Sequence, residues 1–172
     1  MYNRRFVTKE QLEMRNQQLE KADPAQILEW GYRTFGKKMA LGTGFGPSGV
    51  VLLHHLSRYN IPIPIFYLDT HLLFDETYRL KDELESRLDL NITRISPELS
   101  VNEQRELLGN ELWKSDPDQC CYIRKVRPLK RYLSDKESWV TGVRYQQSET
   151  RSQTPVVQWD NFNKVVKVNP LA

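Results

Sequence analysis

The order of apolar and glycine-rich segments predicts an α/β protein with a mostly parallel sheet and helices on both faces. Short apolar segments typical of strands alternate with longer segments in which apolar residues recur at helical spacing. Residues 61–69 are apolar on both faces, as expected for a central parallel strand. The length of 172 residues fits a single domain, residues 1–172, with its own core.

Charge and hydropathy exclude several classes of function. The formal net charge of +3 provides no global field for binding nucleic acid. No apolar run is long enough to span a membrane, and residues 1–6 lack the apolar core of a signal peptide. We therefore expect a cytoplasmic protein, whose two cysteines stay reduced rather than forming a disulfide.

The N-terminal part predicts two helices and the first strand. Residues 8–21 are typical of a surface helix, because few of them are apolar. A second helix is predicted from Asp23 and Pro24, which favour a helix start, to Gly36, which favours a helix end. The first strand is assigned to residues 38–41.

The glycine-rich segment 42–49 has the layout of an anion-binding turn, because an apolar helix is predicted to follow it over residues 50–56. Glycines let backbone N–H groups approach an anion, and a helix N-terminus adds positive potential. The segment lacks the ending of a Walker A loop, and its glycine spacing differs from the dinucleotide fingerprint. From the residues alone, a purely structural turn is an equally good interpretation.

The second predicted strand ends in polar residues. Asp69, Thr70 and His71 follow residues 61–68, at the place where ligands bind in open α/β sheets. Helix capping by Asp69 or Thr70 is the alternative interpretation. The elements that follow are predicted as a helix, a strand and a short helix over residues 74–88, 91–95 and 100–109.

The two cysteines, Cys120 and Cys121, are adjacent and lie in a basic segment. A disulfide between neighbours is strained. In a helix their side chains diverge by about 100°. Such a pair can bind neighbouring atoms of a bulky group such as an iron–sulfur cluster, and nearby cations favour the thiolate form. Two small buried side chains are the alternative interpretation. The helix is predicted from Asp116 to Leu133, with a kink at Pro128.

The next predicted strand, residues 138–143, runs into a polar loop with two arginines. Arg144 and Arg151 follow Gly142 closely and are near enough in sequence to clamp one sulfate or phosphate group. A solvated charged loop is the alternative. The last two strands are predicted as a hairpin over residues 156–159 and 165–168.

Three of these segments follow the carboxyl ends of predicted strands: the glycine-rich turn, Asp69–His71, and Gly142–Arg151. In a parallel sheet they converge on one crevice. The glycine-rich turn suits a phosphate, the second segment suits a base or ribose, and the third supplies cations.

Four motifs occur in a fixed order: Gly-Phe-Gly-Pro, Leu-Asp-Thr-x-x-Leu-Phe-x-Glu-Thr-Tyr, Cys-Cys-x-x-Arg-Lys-Val-x-Pro-Leu and Thr-Gly-x-Arg-x-x-Gln-Ser-x-x-Arg. Together they resemble the assimilatory adenylyl-sulfate (APS) reductases. Those enzymes belong with the phosphoadenylyl-sulfate (PAPS) reductases in the adenine-nucleotide α-hydrolase-like fold. The resemblance covers roughly residues 25–172. The cysteine pair resembles the cluster-containing APS enzymes, because most PAPS enzymes lack it.

The resemblance implies a substrate site, a catalytic set and metal ligands. The substrate-binding residues it implies are Gly44, Phe45, Gly46, Ser48, Leu68, Asp69, Thr70 and Gly142. The catalytic set it implies is Lys125, Arg144 and Arg151, around the sulfate. Cys120 and Cys121 match two of the four ligands of a [4Fe-4S] cluster.

The implied reaction is the two-electron reduction of adenylyl sulfate to sulfite and AMP. In the family a cysteine nucleophile attacks the sulfur atom, and thioredoxin or a similar dithiol resolves the S-sulfocysteine. Cations would hold the dianionic head group, and the nucleophile needs a depressed thiol pKa.

The sequence also departs from the family pattern. It has neither the nucleophilic cysteine nor the second Cys-x-x-Cys, and Gly44, His71 and Tyr145 replace residues more usual in the family. We therefore expect a C-terminally truncated form, in which an exposed sheet edge favours homo-oligomers. The alternatives are a PAPS reductase and a non-catalytic adenine-nucleotide-binding domain.

Overall fold

The computed structural model describes residues 8–144 and 154–172. Its strands are β1 (Met39–Gly42), β2 (Ile65–Leu68), β3 (Ile92–Ile95), β4 (Ser138–Val140), β5 (Val157–Asp160) and β6 (Val165–Val168). Its α-helices are α1 (Lys9–Leu19), α2 (Pro24–Phe35), α3 (Pro47–Arg58), α4 (Asp75–Leu88), α5 (Val101–Leu108), α6 (Leu112–Ser115), α7 (Pro117–Cys121) and α8 (Arg127–Leu133). A 3₁₀ turn (Gly36–Lys38) precedes β1, and a π-helix (Tyr122–Val126) joins α7 to α8.

The strands form one sheet in the order β3-β2-β1-β4-β6-β5. All neighbouring pairs are parallel except β5 and β6, which form an antiparallel hairpin at the edge. Leu41 of β1 faces Ile65 of β2 on one side and Val140 of β4 on the other, so β1 lies near the middle of the sheet. The predicted fold class is therefore confirmed.

The core lies on both faces of β1. On one face Met39 and Leu41 pack with Leu28 of α2 and Leu52 of α3, all of them fully buried. On the other face Ala40, Phe66 and Leu133 form a smaller cluster under α8, and the Phe66 ring lies 4.5 Å from that of Tyr132. Since both faces are covered, the central strands are apolar at nearly every position.

The second strand is shorter than predicted. It begins at Ile65 rather than residue 61, because Pro62 and Pro64 have no N–H to donate to a neighbouring strand. The Pro64 carbonyl still accepts a bond from the Leu41 N–H at 2.8 Å. Helix α3 begins at Pro47, before the predicted residue 50, since proline suits the first helical turn.

Helix α1 lies against the edge strand β5. Only Leu19 of this helix is buried, as expected for a surface helix. Asn16, however, donates from Nδ2 to the Val157 carbonyl at 2.7 Å and accepts from the Val157 N–H at 2.8 Å. One side-chain amide thus takes the place of a neighbouring strand and satisfies part of the open edge. In the part of the chain that is described, no helix combines the length and hydropathy needed to cross a bilayer.

We expect Asn16→Ala to lower the free energy of unfolding by about 1–3 kcal/mol, because two hydrogen bonds to one edge residue are lost. Gln17→Ala, at an exposed position of the same helix, is the control. Urea unfolding of both variants measures the difference. An Asn16→Ala protein within about 0.5 kcal/mol of the Gln17→Ala protein would contradict this role.

Candidate functional site

The glycine-rich turn lies between β1 and α3 and is shaped by Thr43. The Thr43 hydroxyl accepts a hydrogen bond from the Phe45 N–H at 3.0 Å. Phe45 adopts φ = 61°, and its buried ring packs 5.4 Å from that of Tyr67. This anchor leaves Gly44 and Gly46 exposed at the surface. No side chain caps the start of α3, so the N–H groups of its first turn are not bonded by a capping side chain and are available to a ligand at the glycine-rich turn.

A second segment closes the site from the end of β4. Gly142 packs so tightly against the start of α3 that a Cβ atom there would lie 2.9 Å from Cβ of Ser48. The two segments enclose a cavity of about 280 Å³, to which Arg144 contributes the basic side chain. Its lining residues are Gly42, Thr43, Gly44, Gly46, Pro47, Ser48, Gly49, Gly142, Val143 and Arg144.

The structure therefore brings together four of the predicted substrate residues, Gly44, Gly46, Ser48 and Gly142, with the predicted catalytic residue Arg144. The ring of Phe45 supports the turn from below and does not line the cavity. Arg151 lies outside the described residues.

The polar end of β2 is occupied by its own hydrogen bonds. Asp69 is fully buried, and its Oδ1 accepts from the His71 N–H at 2.8 Å and from the Tyr78 hydroxyl at 2.7 Å. Arg94 Nε lies 2.6 Å from Oδ2, as an ion pair rather than an aligned hydrogen bond. Thr70 Oγ1 accepts from the N–H of Leu72 at 3.2 Å. Both side chains thus shape the turn, but neither caps a helix, because α4 begins at Asp75 and is preceded by Phe74 without a side-chain capping bond.

Two features of this turn follow from Asp69. Desolvation, together with the hydrogen bond to the carboxylate, raises the pKa of Tyr78 to about 12, so this phenol stays a donor at neutral pH. His71 is held at φ = 58°, in the left-handed region that favours glycine. Leu68, Asp69 and Thr70 do not line the cavity beside the glycine turn.

The cysteine segment is helical but not a single α-helix. Asp116 caps the start of α7 through the Gln119 N–H at 2.9 Å. A π-helical turn then follows, in which the Arg127 N–H bonds to the Tyr122 carbonyl. The wider turn accommodates Pro128, which has no N–H for an α-helical bond. Since π-helical turns are among the causes of helix kinks, the predicted kink at Pro128 stays a prediction. Pro128 itself is buried in the first turn of α8.

The two cysteine side chains point into different surroundings. Cys120 is buried and Cys121 is exposed, and both are free thiols. Lys125 is exposed in the π-helix. Within the described ranges, no group of three or more His, Cys, Asp or Glu residues could hold a metal ion. The 172 residues contain two cysteines, which is half the number of thiolates that a four-cysteine cluster requires.

Arg124 joins the cysteine segment to the sheet. Its side chain is 1% exposed, and Nη1 donates to the Thr70 carbonyl at 2.9 Å. Nε and Nη2 are buried and have no hydrogen-bond partner among residues 8–144 and 154–172. Burial lowers the pKa of Arg124, while the nearby Cys120 acts in the opposite direction. The sequence does not predict this burial, although Arg124 and Lys125 are the two residues of a partly solvated basic run for which a functional role is expected.

Comparison with known proteins identifies relatives of the chain. Residues 38–172 match the profile of the phosphoadenosine phosphosulfate reductase domain family. The adenosine 5′-phosphosulfate reductase of Salinibacter ruber is 49% identical over 157 residues, which cover 91% of this chain and 62% of that protein. Adenosine 5′-phosphosulfate reductase 2 of Bacillus subtilis is 41% identical over 150 residues, covering 87% of this chain and 64% of that protein. The chain thus spans less than two thirds of the length of these relatives.

Solved structures share the fold. The phosphoadenylyl-sulfate reductase of Candida auris, in a phosphate complex, superposes with a TM-score of 0.84 at 26% identity, covering 95% of this chain and 79% of that one. The FMN adenylyltransferase of Candida glabrata superposes with a TM-score of 0.52 at 13% identity, and the match covers 98% of this chain and 57% of that one. At this identity the two proteins are similar in fold alone.

We expect Gly142→Ala to destabilise the fold by about 1–3 kcal/mol, because the added methyl group overlaps Ser48 and forces the two segments apart. Gly44→Ala is the matched control, since a Cβ atom there meets nothing within 4 Å and the backbone is not left-handed. Thermal unfolding compares the two variants. Equal melting temperatures would show that the close packing at Gly142 is not required.

Proposed function

Because the chain belongs to the phosphoadenosine phosphosulfate reductase domain family, we propose that it forms the nucleotide-binding part of an enzyme that reduces adenylyl sulfate to sulfite and AMP in sulfate assimilation. One observation carries this proposal: a backbone-lined anion cavity and a cysteine segment both lie at the carboxyl end of the sheet. Substrates of open α/β proteins bind at that end. The chain spans part of its relatives, and the groups discussed below are those with which it would bind and position the substrate and stabilise charge.

The phosphate of the substrate is proposed to bind in the glycine turn. Gly44 and Gly46 allow backbone N–H groups to approach it, the Ser48 hydroxyl lies at the start of α3, and the N-terminus of this helix adds positive potential. Gly142 keeps the opposite wall close. Arg144 then lies beside the same cavity, where a guanidinium pairs well with the oxygens of phosphate or sulfate.

The adenosine half is proposed to lie along the end of β2. Leu68 is half-buried there and offers apolar contact, while the Asp69 and Thr70 side chains hold the turn in shape through their internal hydrogen bonds. Phe45 supports the turn next to it from below. These residues would act by fixing the outline of the pocket rather than by bonding the nucleotide directly.

The proposed chemistry places cations around the sulfur. A thiolate attacks the sulfur atom, the bond between sulfur and the phosphate oxygen breaks, and AMP leaves with the electron pair. Lys125, Arg144 and Arg151 would stabilise the developing charge. A dithiol such as thioredoxin then attacks the S-sulfocysteine, so sulfite leaves and a disulfide forms. The attacking thiol has to come from outside these 172 residues if both cysteines serve as ligands.

Cys120 and Cys121 are proposed as two ligands of a [4Fe-4S] cluster. Soft thiolates are the ligands that such clusters use, and Arg124 and Lys125 provide positive charge close by. The other two thiolates must come from elsewhere, so we assign no reaction step to the cluster. Reduced thiols of this kind fit a cytoplasmic location, and sharing of ligands between chains would give a homo-oligomer.

A second candidate is a nucleotide-binding module without catalysis. It is favoured by the cysteine count, because a chain with two cysteines cannot supply both the ligands and a nucleophile. A PAPS substrate is less favoured: its additional 3′-phosphate needs further cations, and Arg144 is the one basic residue in the described lining of the cavity.

The nucleotide site predicts that the chain binds AMP and that Arg144→Ala weakens this binding about 10- to 100-fold, because a charge-assisted contact is lost. Isothermal titration calorimetry with AMP and with adenosine 3′,5′-bisphosphate measures both affinities. Arg33→Ala, at an exposed position of α2, is the control. We expect AMP to bind at least as tightly as the bisphosphate. Absence of AMP binding would overturn the proposal, and tighter bisphosphate binding would favour PAPS.

The metal proposal predicts that iron binding depends on both cysteines. Anaerobic reconstitution with iron, sulfide and an added dithiol, which supplies the missing ligands, should give protein-bound iron and acid-labile sulfide. Cys120→Ser and Cys121→Ser should each lose them. Iron retained equally by the wild type and both variants, or absent from all three, would show that the pair is not a ligand pair.

A further inference from the structure

A second cavity lies at the opposite end of the sheet from the proposed nucleotide site. It is formed by the end of α2, the end of α8, the segment before β4, and the β5–β6 hairpin, and its volume is about 280 Å³. Phe35, Glu137 and Lys164 lie just before parallel strands, so this cavity faces their amino ends. We call it the hairpin cavity. The glycine turn and Gly142 lie at the carboxyl ends, so the two cavities are separate sites.

The hairpin cavity carries an excess of positive charge. Lys130, Lys136 and Lys164 line it. The carboxylate in its lining, Glu137, is neutralised by Lys38 Nζ at 2.8 Å. Lys136 pairs with a neighbouring aspartate, whereas Lys130 and Lys164 have no ion pair with any residue that the structure describes. The cavity therefore favours an anion.

Its walls also present aromatic surface. Trp159 is 37% exposed and Phe162 is 59% exposed, and Phe35 contributes a third ring. The ammonium of Lys130 lies 5.6 Å from the centre of the Phe162 ring, so a cation and a ring face occur side by side. Exposed rings of this kind offer stacking surface for a planar ligand, which contributes about 1–3 kcal/mol per stacked base in other proteins.

The hairpin tip holds these groups in fixed positions. Asp160 Oδ1 accepts from the N–H groups of Phe162 and Asn163, each at 3.0 Å, and Oδ2 accepts from Asn163 Nδ2 at 2.9 Å. Because the amide nitrogen of Asn163 is bonded to a carboxylate, its orientation is determined. Asn163 Oδ1 is left buried and without a hydrogen-bond partner among the described residues. That atom is shielded from solvent, so a ligand in the cavity does not reach it, and the role of Asn163 is to hold the shape of the hairpin tip.

We propose that the hairpin cavity binds a small aromatic anion with the chemistry of a mononucleotide. The planar ring stacks against Trp159 and Phe162, and the anionic group pairs with Lys130 and Lys164. The volume of about 280 Å³ lies just below the range of small-molecule pockets, which begins near about 300 Å³, so the ligand is small. Three aromatic rings, together with two ammonium groups that have no ion pair with a described residue, match that ligand class better than they match a free inorganic anion.

AMP, adenosine and inorganic phosphate are the probes, titrated into the whole chain by calorimetry and by tryptophan fluorescence. We expect AMP to occupy two sites, and to quench a fluorescence signal that Trp159→Phe removes. Adenosine and phosphate should each bind the hairpin cavity at least 10-fold more weakly than AMP, because each offers half of the contacts. Phe162→Ala and Lys164→Ala should each weaken this site about 10-fold and leave binding at the glycine turn unchanged.

Lys37→Ala is the matched control, because Lys37 is an exposed lysine close in sequence to the same end of the sheet and does not line the cavity. A single AMP site, insensitive to Phe162→Ala and Lys164→Ala, would overturn the proposal. Equal effects of Lys37→Ala and Lys164→Ala would also overturn it, by showing diffuse attraction instead. Hexaglutamate binding in the absence of AMP binding would reassign the cavity as a docking surface for an acidic peptide. Because Lys164 is exposed, Lys164→Ala tests the site even if Phe162→Ala fails to fold.

Discussion

A buried guanidinium determines how the cysteine segment sits on the sheet. Arg124 reaches from the π-helix to the carbonyl of Thr70 and is shielded almost completely from water. It has no carboxylate partner among residues 8–144 and 154–172, and burying such a charge costs several kcal/mol, which the surrounding packing must offset. The contact holds the cysteines next to the turn at the end of β2. The shape of this turn depends on Asp69. Its carboxylate accepts from the His71 N–H and the Tyr78 hydroxyl and forms an ion pair with Arg94.

The sequence predicted the fold well where the signal is local. Alternation of apolar segments is visible along the chain, and so are the starts of α2 and α5, which are marked by capping residues. The family resemblance read from four motifs is confirmed by the match over residues 38–172. The predicted bounds or helix types were wrong where a proline interrupts a segment that otherwise has the composition of a regular strand or helix. Pro62 and Pro64 shorten β2, and a π-helix that the sequence did not predict precedes Pro128.

The site was predicted in part. The glycine turn and Gly142 converge, because both follow neighbouring parallel strands, β1 and β4. The burial of Arg124 and the pairing of Asn16 with Val157 could not be predicted, since each joins residues far apart in sequence through a side chain that usually faces solvent. Two cavities of different chemistry thus lie at opposite ends of the sheet: one is lined largely by the glycine turn, and the other by lysines and aromatic rings.

The π-helix decides where the cysteine segment can change its length. A π-helical turn holds one more residue than an α-helical turn, so it acts as an insertion of a single residue between the cysteines and Pro128. Deleting one residue of Tyr122–Val126 would return this turn to α-helical geometry, and α7 and α8 would keep nearly the same rotational phase. Deleting one residue within α8 instead would leave the π-turn in place and rotate the residues on either side of the deletion by about 100° relative to each other. The wide turn is therefore the one place in this segment where the loss of a residue leaves the buried face of Cys120 and that of Pro128 in register.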